Sequence, residues 1–103
     1  MLKAESAKNV ASMMRECTLY GTAKKLSSSP LEIAGKTGSA ETGWKKSDGT
    51  YYEHGWFCGF FPYSDPRYAI AVFCEDGKSG AQSAVEPFLK ICEGINEFYP
   101  IKQ

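Results

Sequence analysis

The residues Lys36, Thr37, Gly38 and Ser39 place one ammonium group and two hydroxyl groups side by side in the sequence. They lie in the segment 31–41, LEIAGKTGSAE, which has the pattern of a short strand. Because successive side chains of a strand point to opposite faces, Thr37 and Ser39 share one face and Lys36 lies on the other. Gly38 weakens a strand unless something must approach the backbone closely. A central strand would not carry these groups, so we predict an edge strand whose free rim faces a ligand.

Two helices and a pair of strands must position this edge strand. Apolar residues at helical spacing predict one helix over residues 5–20 and a second over residues 82–98. An aromatic run over 55–63 and an apolar run over 68–75 flank a short turn and predict an antiparallel hairpin. The order of elements therefore predicts an α+β fold, with an antiparallel three-stranded sheet that carries both helices on one face.

Aromatic side chains surround the predicted strand. Trp44, Tyr51 and Tyr52 flank a turn signal at Ser47-Asp48-Gly49-Thr50, so we expect residues 42–53 to form a loop that overhangs the rim of the strand. These aromatic rings are equally suited to contacting a ligand and to folding the loop on itself. Both interpretations stay open from the sequence.

Three other residues invite a functional interpretation. His54 could serve as a general base, but no carboxylate lies at a suitable spacing, which favours a structural or surface role. Trp56 and Phe57 lie in the aromatic run and are expected in the core rather than in a ligand cage. Neither feature adds a catalytic residue to the predicted site.

Composition and charge exclude several classes of function. The 12 basic and 12 acidic residues balance, and no basic patch suited to nucleic acid is present. No apolar run approaches the roughly 18 residues of a membrane span, so we expect a soluble chain without membrane contact. The single histidine and four cysteines lack metal-ligand spacing, and no cofactor is indicated. Free thiols are favoured, with a disulfide between Cys58 and Cys74 as the alternative.

Three segments of the chain resemble a known family. AGKTGSAE contains a K-T-G box, and HGWFCGFFPYSDPRYAIAVFCEDG and AQSAVEPFLKICEGI follow it. Together they resemble the last three strands and the final helix of a penicillin-binding protein transpeptidase domain. The likeness extends over about residues 5–98 and is closer to the cell-wall transpeptidases than to soluble β-lactamases. It implies that residues 1–103 are the C-terminal subdomain of an incomplete domain.

The resemblance implies a peptidoglycan D,D-transpeptidase, in which an active-site serine is acylated by a stem peptide ending in D-Ala-D-Ala and also by β-lactams. Lys36 would supply positive charge, and the Ser39 N–H would form one arm of the oxyanion hole. Thr37 and Ser39 would hydrogen-bond the substrate carboxylate, and Gly38 would admit the acyl chain. The implied partners are the stem peptide, β-lactams and the rest of the domain. The parent protein would be anchored on the outer face of a bacterial cytoplasmic membrane.

The chain lacks two other motifs of the resembled family. None of its serines is followed three residues later by lysine, so S-x-x-K is absent, and no S-x-N box is present. The nucleophile and its base are therefore missing. We expect the full-length parent to be an enzyme and these 103 residues alone to be inactive.

Two other functions are compatible with the sequence. Penicillin-recognising domains also serve as β-lactam sensors, and the K-T-G strand is common to both classes. A different alternative is a non-catalytic α+β interaction module that pairs with another chain through the open edge of its Lys36 strand.

Overall fold

The computed structural model of the chain describes residues 3–75 and 80–100. Its elements, in chain order, are helix α1 (Ala4–Leu19), a 3₁₀ helix (Lys24–Ser28), strands β1 (Ala34–Lys45), β2 (Tyr51–Phe61) and β3 (Tyr68–Cys74), a second 3₁₀ helix (Gly80–Ala84) and helix α2 (Val85–Phe98). The described strands form one antiparallel sheet in the order β1-β2-β3. The α+β class and the predicted edge position of the Lys36 strand are therefore confirmed.

The register of the sheet divides its residues into an inner and an outer face. Thr37 of β1 lies opposite Phe57 of β2, which lies opposite Val72 of β3. Phe57 is completely buried, so this row of residues faces the core. The neighbouring row, which begins with Lys36 opposite Cys58, faces outwards. The alternation predicted from the sequence, with Lys36 on the opposite face from Thr37, is thus confirmed.

The core lies between the inner face of the sheet and both helices. Its buried members lie between α1 and β1, in β2, and in α2 or directly before it: Ala23, Leu26, Leu31, Ile33, Phe57, Phe61, Ala84, Val85, Phe88 and Cys92. Cys17 of α1 packs against the same cluster to which α2 contributes Phe88 and Cys92. Both helices therefore cover the same face of the sheet, as predicted.

Gly35 and Gly38 have different surroundings, although only two residues lie between them. A Cβ atom on Gly35 would overlap the ring of Phe57 and lie 2.8 Å from the carbonyl oxygen of Cys58. A Cβ atom on Gly38 would meet only the Cβ of Trp56, at 3.8 Å. Packing within this chain thus requires a glycine at position 35 and leaves room at position 38.

Hydrogen bonds to the residues just before β1 fix where the strand begins. The hydroxyl group of the buried Thr18 donates to the Ile33 carbonyl oxygen at 2.6 Å, and the Arg15 guanidinium donates to the same oxygen at 2.8 Å. The N–H of Tyr63, which follows β2, donates to the Glu32 carbonyl oxygen at 2.8 Å. The last turns of α1 and the end of β2 therefore hold the start of β1 from two sides.

The connection between β1 and β2 differs from the prediction. Residues 42–53 do not form an overhanging loop, because both strands continue into this segment beyond a register shift between Glu41 and Lys45. Only a tight turn remains, in which the Asp48 carboxylate accepts hydrogen bonds from the N–H and hydroxyl of Thr50. These two bonds lower the pKa of Asp48 below its ordinary value of 3.8. The turn at Ser47-Asp48-Gly49-Thr50 was predicted correctly. The strands on both sides of it are longer than predicted.

The alternation of the strands corrects the expected position of Trp56 and excludes the alternative of a disulfide between Cys58 and Cys74. Phe57 is in the core, but Trp56 points to the outer face, is 42% exposed and packs against Phe73. Cys58 also lies on the outer face, whereas Cys74 lies opposite Gly55 on the inner face. The two thiols cannot pair from opposite faces, and both are free.

The remaining boundaries agree with the prediction to within a few residues. α2 begins at Val85 rather than at residue 82, because a 3₁₀ helix precedes it. The predicted break after β3 falls mainly on residues 76–79, which lie outside the described residues. No helix in the described part of the chain is both long and apolar enough to cross a bilayer. Residues 3–75 and 80–100 contain no cluster of three side chains able to hold a metal ion.

The environments of the cysteines predict an order of reaction with iodoacetamide. Burial, together with the nearby charge of Glu93, raises the pKa of the Cys92 thiol from its ordinary value of 9.0 to about 12. Folding therefore disfavours the Cys92 thiolate, and the stability that this thiol contributes decreases as the pH rises from 9.0 to about 12. At pH 8, peptide mass spectrometry should find the exposed Cys58 alkylated first and Cys92 last. Equal rates for Cys58 and Cys92 would contradict the described core.

The two glycines of β1 predict opposite results in urea unfolding. Gly35→Ala should lower the free energy of unfolding by about 2 kcal/mol or more, because the added methyl group overlaps a buried ring. Gly38→Ala should change it by less than about 0.5 kcal/mol, because the added methyl group meets no close neighbour. A large loss at position 38, or none at position 35, would show that β1 is packed differently.

Candidate functional site

The free edge of β1 carries the predicted site. Lys36 is exposed and starts from the outer face, but its ammonium group bends around the strand. Lys36 Nζ donates a hydrogen bond to the carbonyl oxygen of Thr37 at 3.1 Å and lies 3.5 Å from Thr37 Oγ1. The structure thus brings the ammonium of one face to the hydroxyl of the other.

The approach of Lys36 Nζ indicates which backbone groups face the open edge. β2 occupies the other side of β1, so a carbonyl oxygen that accepts from this ammonium is not directed at the neighbouring strand. In an antiparallel sheet, backbone groups two residues apart point in the same direction. The N–H of Ser39 therefore faces the same open edge as the carbonyl of Thr37. The Ser39 side chain is exposed.

Thr37 is the least accessible of the four predicted site residues. Its side chain is only 6% exposed and lies on the inner face of the sheet. Its hydroxyl group is 2.9 Å from the hydroxyl of Thr22, in the segment that follows α1. Thr22 in turn lies 3.3 Å from the thiol of Cys17.

Thr22 was not among the residues predicted from the sequence. It belongs to a polar segment without periodicity, and 15 residues separate it from Thr37. Only the packing of the end of α1 against β1 brings the two hydroxyl groups together. The residue types offered no signal for this contact beyond a hydroxyl side chain directly after a helix end.

Gly38 lies between Thr37 and Ser39 along β1, on the outer face of the sheet together with Lys36. The surroundings of its backbone leave room for a side chain, as described above, so its lack of one is not explained by packing in this chain. A ligand that lies against the backbone at this position is consistent with that gap.

The aromatic side chains near the site have other partners. His54 packs edge-on against Phe73 on the outer face, with ring centroids 4.9 Å apart, in agreement with a structural role. At the end of the hairpin, the ammonium groups of Lys45 and Lys46 lie 5.8 and 5.5 Å from the ring centres of Tyr51 and Tyr52. These two rings fold against their own hairpin, while Trp44 is 67% exposed.

The electrostatics of the edge favour a negatively charged ligand. Within residues 3–75 and 80–100, ion pairs join Asp65 to Arg67 and Glu86 to Lys90, and none neutralises Lys36. An uncompensated ammonium beside hydroxyl groups can hold a carboxylate, and outward N–H and C=O groups can pair with an extended peptide. The edge can therefore pair with an extended peptide that carries a carboxylate near the residues that pair with β1.

Comparison with known proteins shows which family the chain resembles. A family model described as penicillin binding protein transpeptidase domain matches residues 1–93. The peptidoglycan D,D-transpeptidase PbpA of Mycolicibacterium smegmatis is 43% identical over 47 residues, which are 46% of this chain and 9% of that protein. The peptidoglycan D,D-transpeptidase MrdA of Acinetobacter baumannii is 36% identical over 73 residues, which are 62% of this chain and 11% of that protein.

The two relatives match 46% and 62% of this chain, and the matched residues are a small part of their own length. The chain spans about a tenth of the length of the two curated relatives that it matches. The family match, in contrast, begins at its first residue and continues through most of α2. The chain therefore belongs to the penicillin-binding protein transpeptidase domain family.

Proposed function

We propose that the chain is the C-terminal subdomain of a peptidoglycan D,D-transpeptidase, which cross-links stem peptides through an acyl-serine intermediate and is acylated by β-lactams. The observation that carries the proposal is the open edge of β1, where the ammonium of Lys36 lies beside the Thr37 hydroxyl without an ion-pair partner among the described residues. Membership of the family and the names of both relatives support the same activity.

The residues of β1 have distinct roles in this proposal. The ammonium of Lys36 attracts the terminal carboxylate of the substrate and stabilises the proton network around the nucleophile. The hydroxyl groups of Thr37 and Ser39 hydrogen-bond that carboxylate. The N–H of Ser39 donates to the oxyanion that develops on the attacked carbonyl. The stem peptide pairs with the open edge as an additional strand, and Gly38 permits its close approach.

The reaction requires a nucleophile from outside these 103 residues. The hydroxyl oxygen of that serine attacks the carbonyl carbon of the penultimate D-alanine, and its proton passes to a neighbouring base. The carbon–nitrogen bond to the last D-alanine breaks, and that residue leaves with the proton on its amine. An amine of a second stem peptide then attacks the acyl-serine ester, which restores the serine and forms the cross-link.

The location of the parent protein follows from its substrate. Peptidoglycan is cross-linked outside the cytoplasm, so the proposed parent works on the outer face of the bacterial cytoplasmic membrane. The partners of this chain are then the remaining parts of its own domain, the D-Ala-D-Ala end of the stem peptide, and β-lactams.

Labelling with a fluorescent penicillin tests the proposed activity. The full-length protein that contains this sequence should become covalently labelled, since its complete domain supplies the serine nucleophile. The 103-residue chain alone should stay unlabelled, because removal of the nucleophile abolishes acyl-enzyme formation. Gel fluorescence and intact-protein mass spectrometry would measure both results. A full-length protein without a mass shift at saturating penicillin would refute the proposed function.

A pair of lysine variants connects the labelling to β1. In the full-length protein, Lys36→Ala should slow acylation by about a hundredfold, the loss expected when a preorganised charged group leaves the site. Lys45→Ala provides the matched control, because Lys45 lies at the far end of the same strand against Tyr51. Its acylation rate should equal that of the wild type. Equal acylation rates for the two variants would show that the activity does not depend on Lys36.

A further inference from the structure

We propose that Thr22 is a positioning residue, which orients the Thr37 hydroxyl so that its proton is available to the substrate carboxylate. This inference rests on the proposed function, because it concerns how the same site holds its carboxylate. It adds a residue that neither the K-T-G motif nor β1 contains. Thr22 follows the end of α1, outside every strand of the sheet.

Thr22 is held in place on three sides. Its backbone lies in the turn that ends α1, which is closed by hydrogen bonds from the N–H groups of Gly21 and Ala23 to the carbonyl oxygen of Cys17. Its own carbonyl oxygen accepts a 2.5 Å hydrogen bond from the side-chain amide of Gln82. The adjoining Ala23 is completely buried in the core. A residue anchored in this way can impose a fixed direction on a neighbouring hydroxyl group.

The hydrogen-bonding capacity of Thr37 Oγ1 determines where its proton points. A threonine hydroxyl has one proton to donate and two lone pairs that can accept. Lys36 Nζ, at 3.5 Å, is a cation and can only donate to this oxygen. If Thr22, at 2.9 Å, also donates, both lone pairs are occupied and the proton of Thr37 remains for a third partner. A carboxylate is such a partner, because an ionised carboxylate only accepts.

The Cys17 thiol is placed to donate to Thr22, which is compatible with donation from Thr22 to Thr37. When the Thr22 hydroxyl donates to Thr37, its oxygen is free to accept, and the Cys17 thiol at 3.3 Å can supply the proton. The thiol, the Thr22 hydroxyl and the Thr37 hydroxyl then form a chain that donates in one direction, from α1 towards the edge of β1. In the opposite direction Thr37 would spend its only proton on Thr22 and have none for the substrate.

Thr22 therefore acts on the substrate only through Thr37. Without the Thr22 hydroxyl, the proton of the Thr37 hydroxyl would no longer be directed towards the substrate. The position of β1, the Lys36 side chain and the core contacts of the strand would remain. The effect should appear in the acylation rate and should disappear when Thr37 itself has no hydroxyl group. A purely structural role of Thr22 would not depend on the side chain at position 37.

The test uses the full-length protein and the second-order rate of acylation by a fluorescent penicillin. Thr22→Val keeps the shape of the side chain and removes its hydroxyl, whereas Thr22→Ser keeps the hydroxyl. We expect a loss of about tenfold for Thr22→Val, as for one hydrogen bond to a charged group, and a rate near that of the wild type for Thr22→Ser. In a Thr37→Val background, Thr22→Val should cause no additional loss. Ser27→Ala, an exposed hydroxyl in the adjacent 3₁₀ helix, is the matched control and should be unchanged.

Each other outcome overturns the inference. A normal rate for Thr22→Val, a rate for Thr22→Ser as low as that of Thr22→Val, or an equal further loss in the Thr37→Val background would exclude positioning through Thr37. If Thr22→Val lowers the melting temperature, Thr22→Ala is measured in the same cycle. Acylation of the wild type measures the proposed function separately. A wild type that is not acylated would refute the proposed function, whereas the variants test only the inference about Thr22.

Discussion

The ring of Phe57 packs against the backbone of Gly35, and the position of the open edge of β1 depends on this contact. Phe57 is completely buried, and no side chain larger than hydrogen fits at position 35. The contact is compatible with a single register of β1 on β2, because a slip of one residue would turn every side chain of β1 to the other face. With that register, Thr37 faces the helices and Lys36 faces outwards. The hydrophobic core thereby decides which polar groups reach the open edge.

The polar groups of the site come from both faces of one strand and from a helix end. Lys36 reaches over the edge to Thr37, and Thr37 is met from the other side by Thr22. Thr18 and Arg15 fasten the end of α1 to Ile33, which directly precedes β1. Helix α1, which packs against the core, thus also brings the Thr22 hydroxyl close to Thr37. Packing and chemistry are connected through this one helix end.

Much of the fold could be predicted from local patterns. The periodicity of apolar residues indicated both helices, and the alternation around Lys36 indicated its face. The polar groups of the same strand indicated its edge position. The extension of β1 to Lys45 could not be predicted, because a register shift and the turn at Asp48 interrupt the alternation on which a strand assignment depends. Trp56 was misplaced because an unbroken aromatic run does not show which of its residues face the core.

The site was less accessible to sequence reasoning than the fold. A motif of adjacent residues identified Lys36, Thr37, Gly38 and Ser39, because all four lie on one strand. Thr22 comes from a different element, and its contact with Thr37 exists only after α1 has packed against the sheet. The bend of Lys36 towards the Thr37 carbonyl also depends on side-chain conformation, which alternation does not predict. Contacts between residues of different elements can be found only from the structure.

A crystal structure of the full-length protein acylated by a β-lactam would test the central claim most directly. The quantities to measure are the distances from the ligand carboxylate and the acyl oxygen to the polar groups of β1. The proposal predicts that the ligand carboxylate lies within hydrogen-bonding distance of the Thr37 and Ser39 hydroxyl groups. The acyl oxygen should lie about 2.7–3.1 Å from the N–H nitrogen of Ser39. A ligand bound to its serine with its carboxylate and acyl oxygen both away from β1 would contradict the role assigned to this edge.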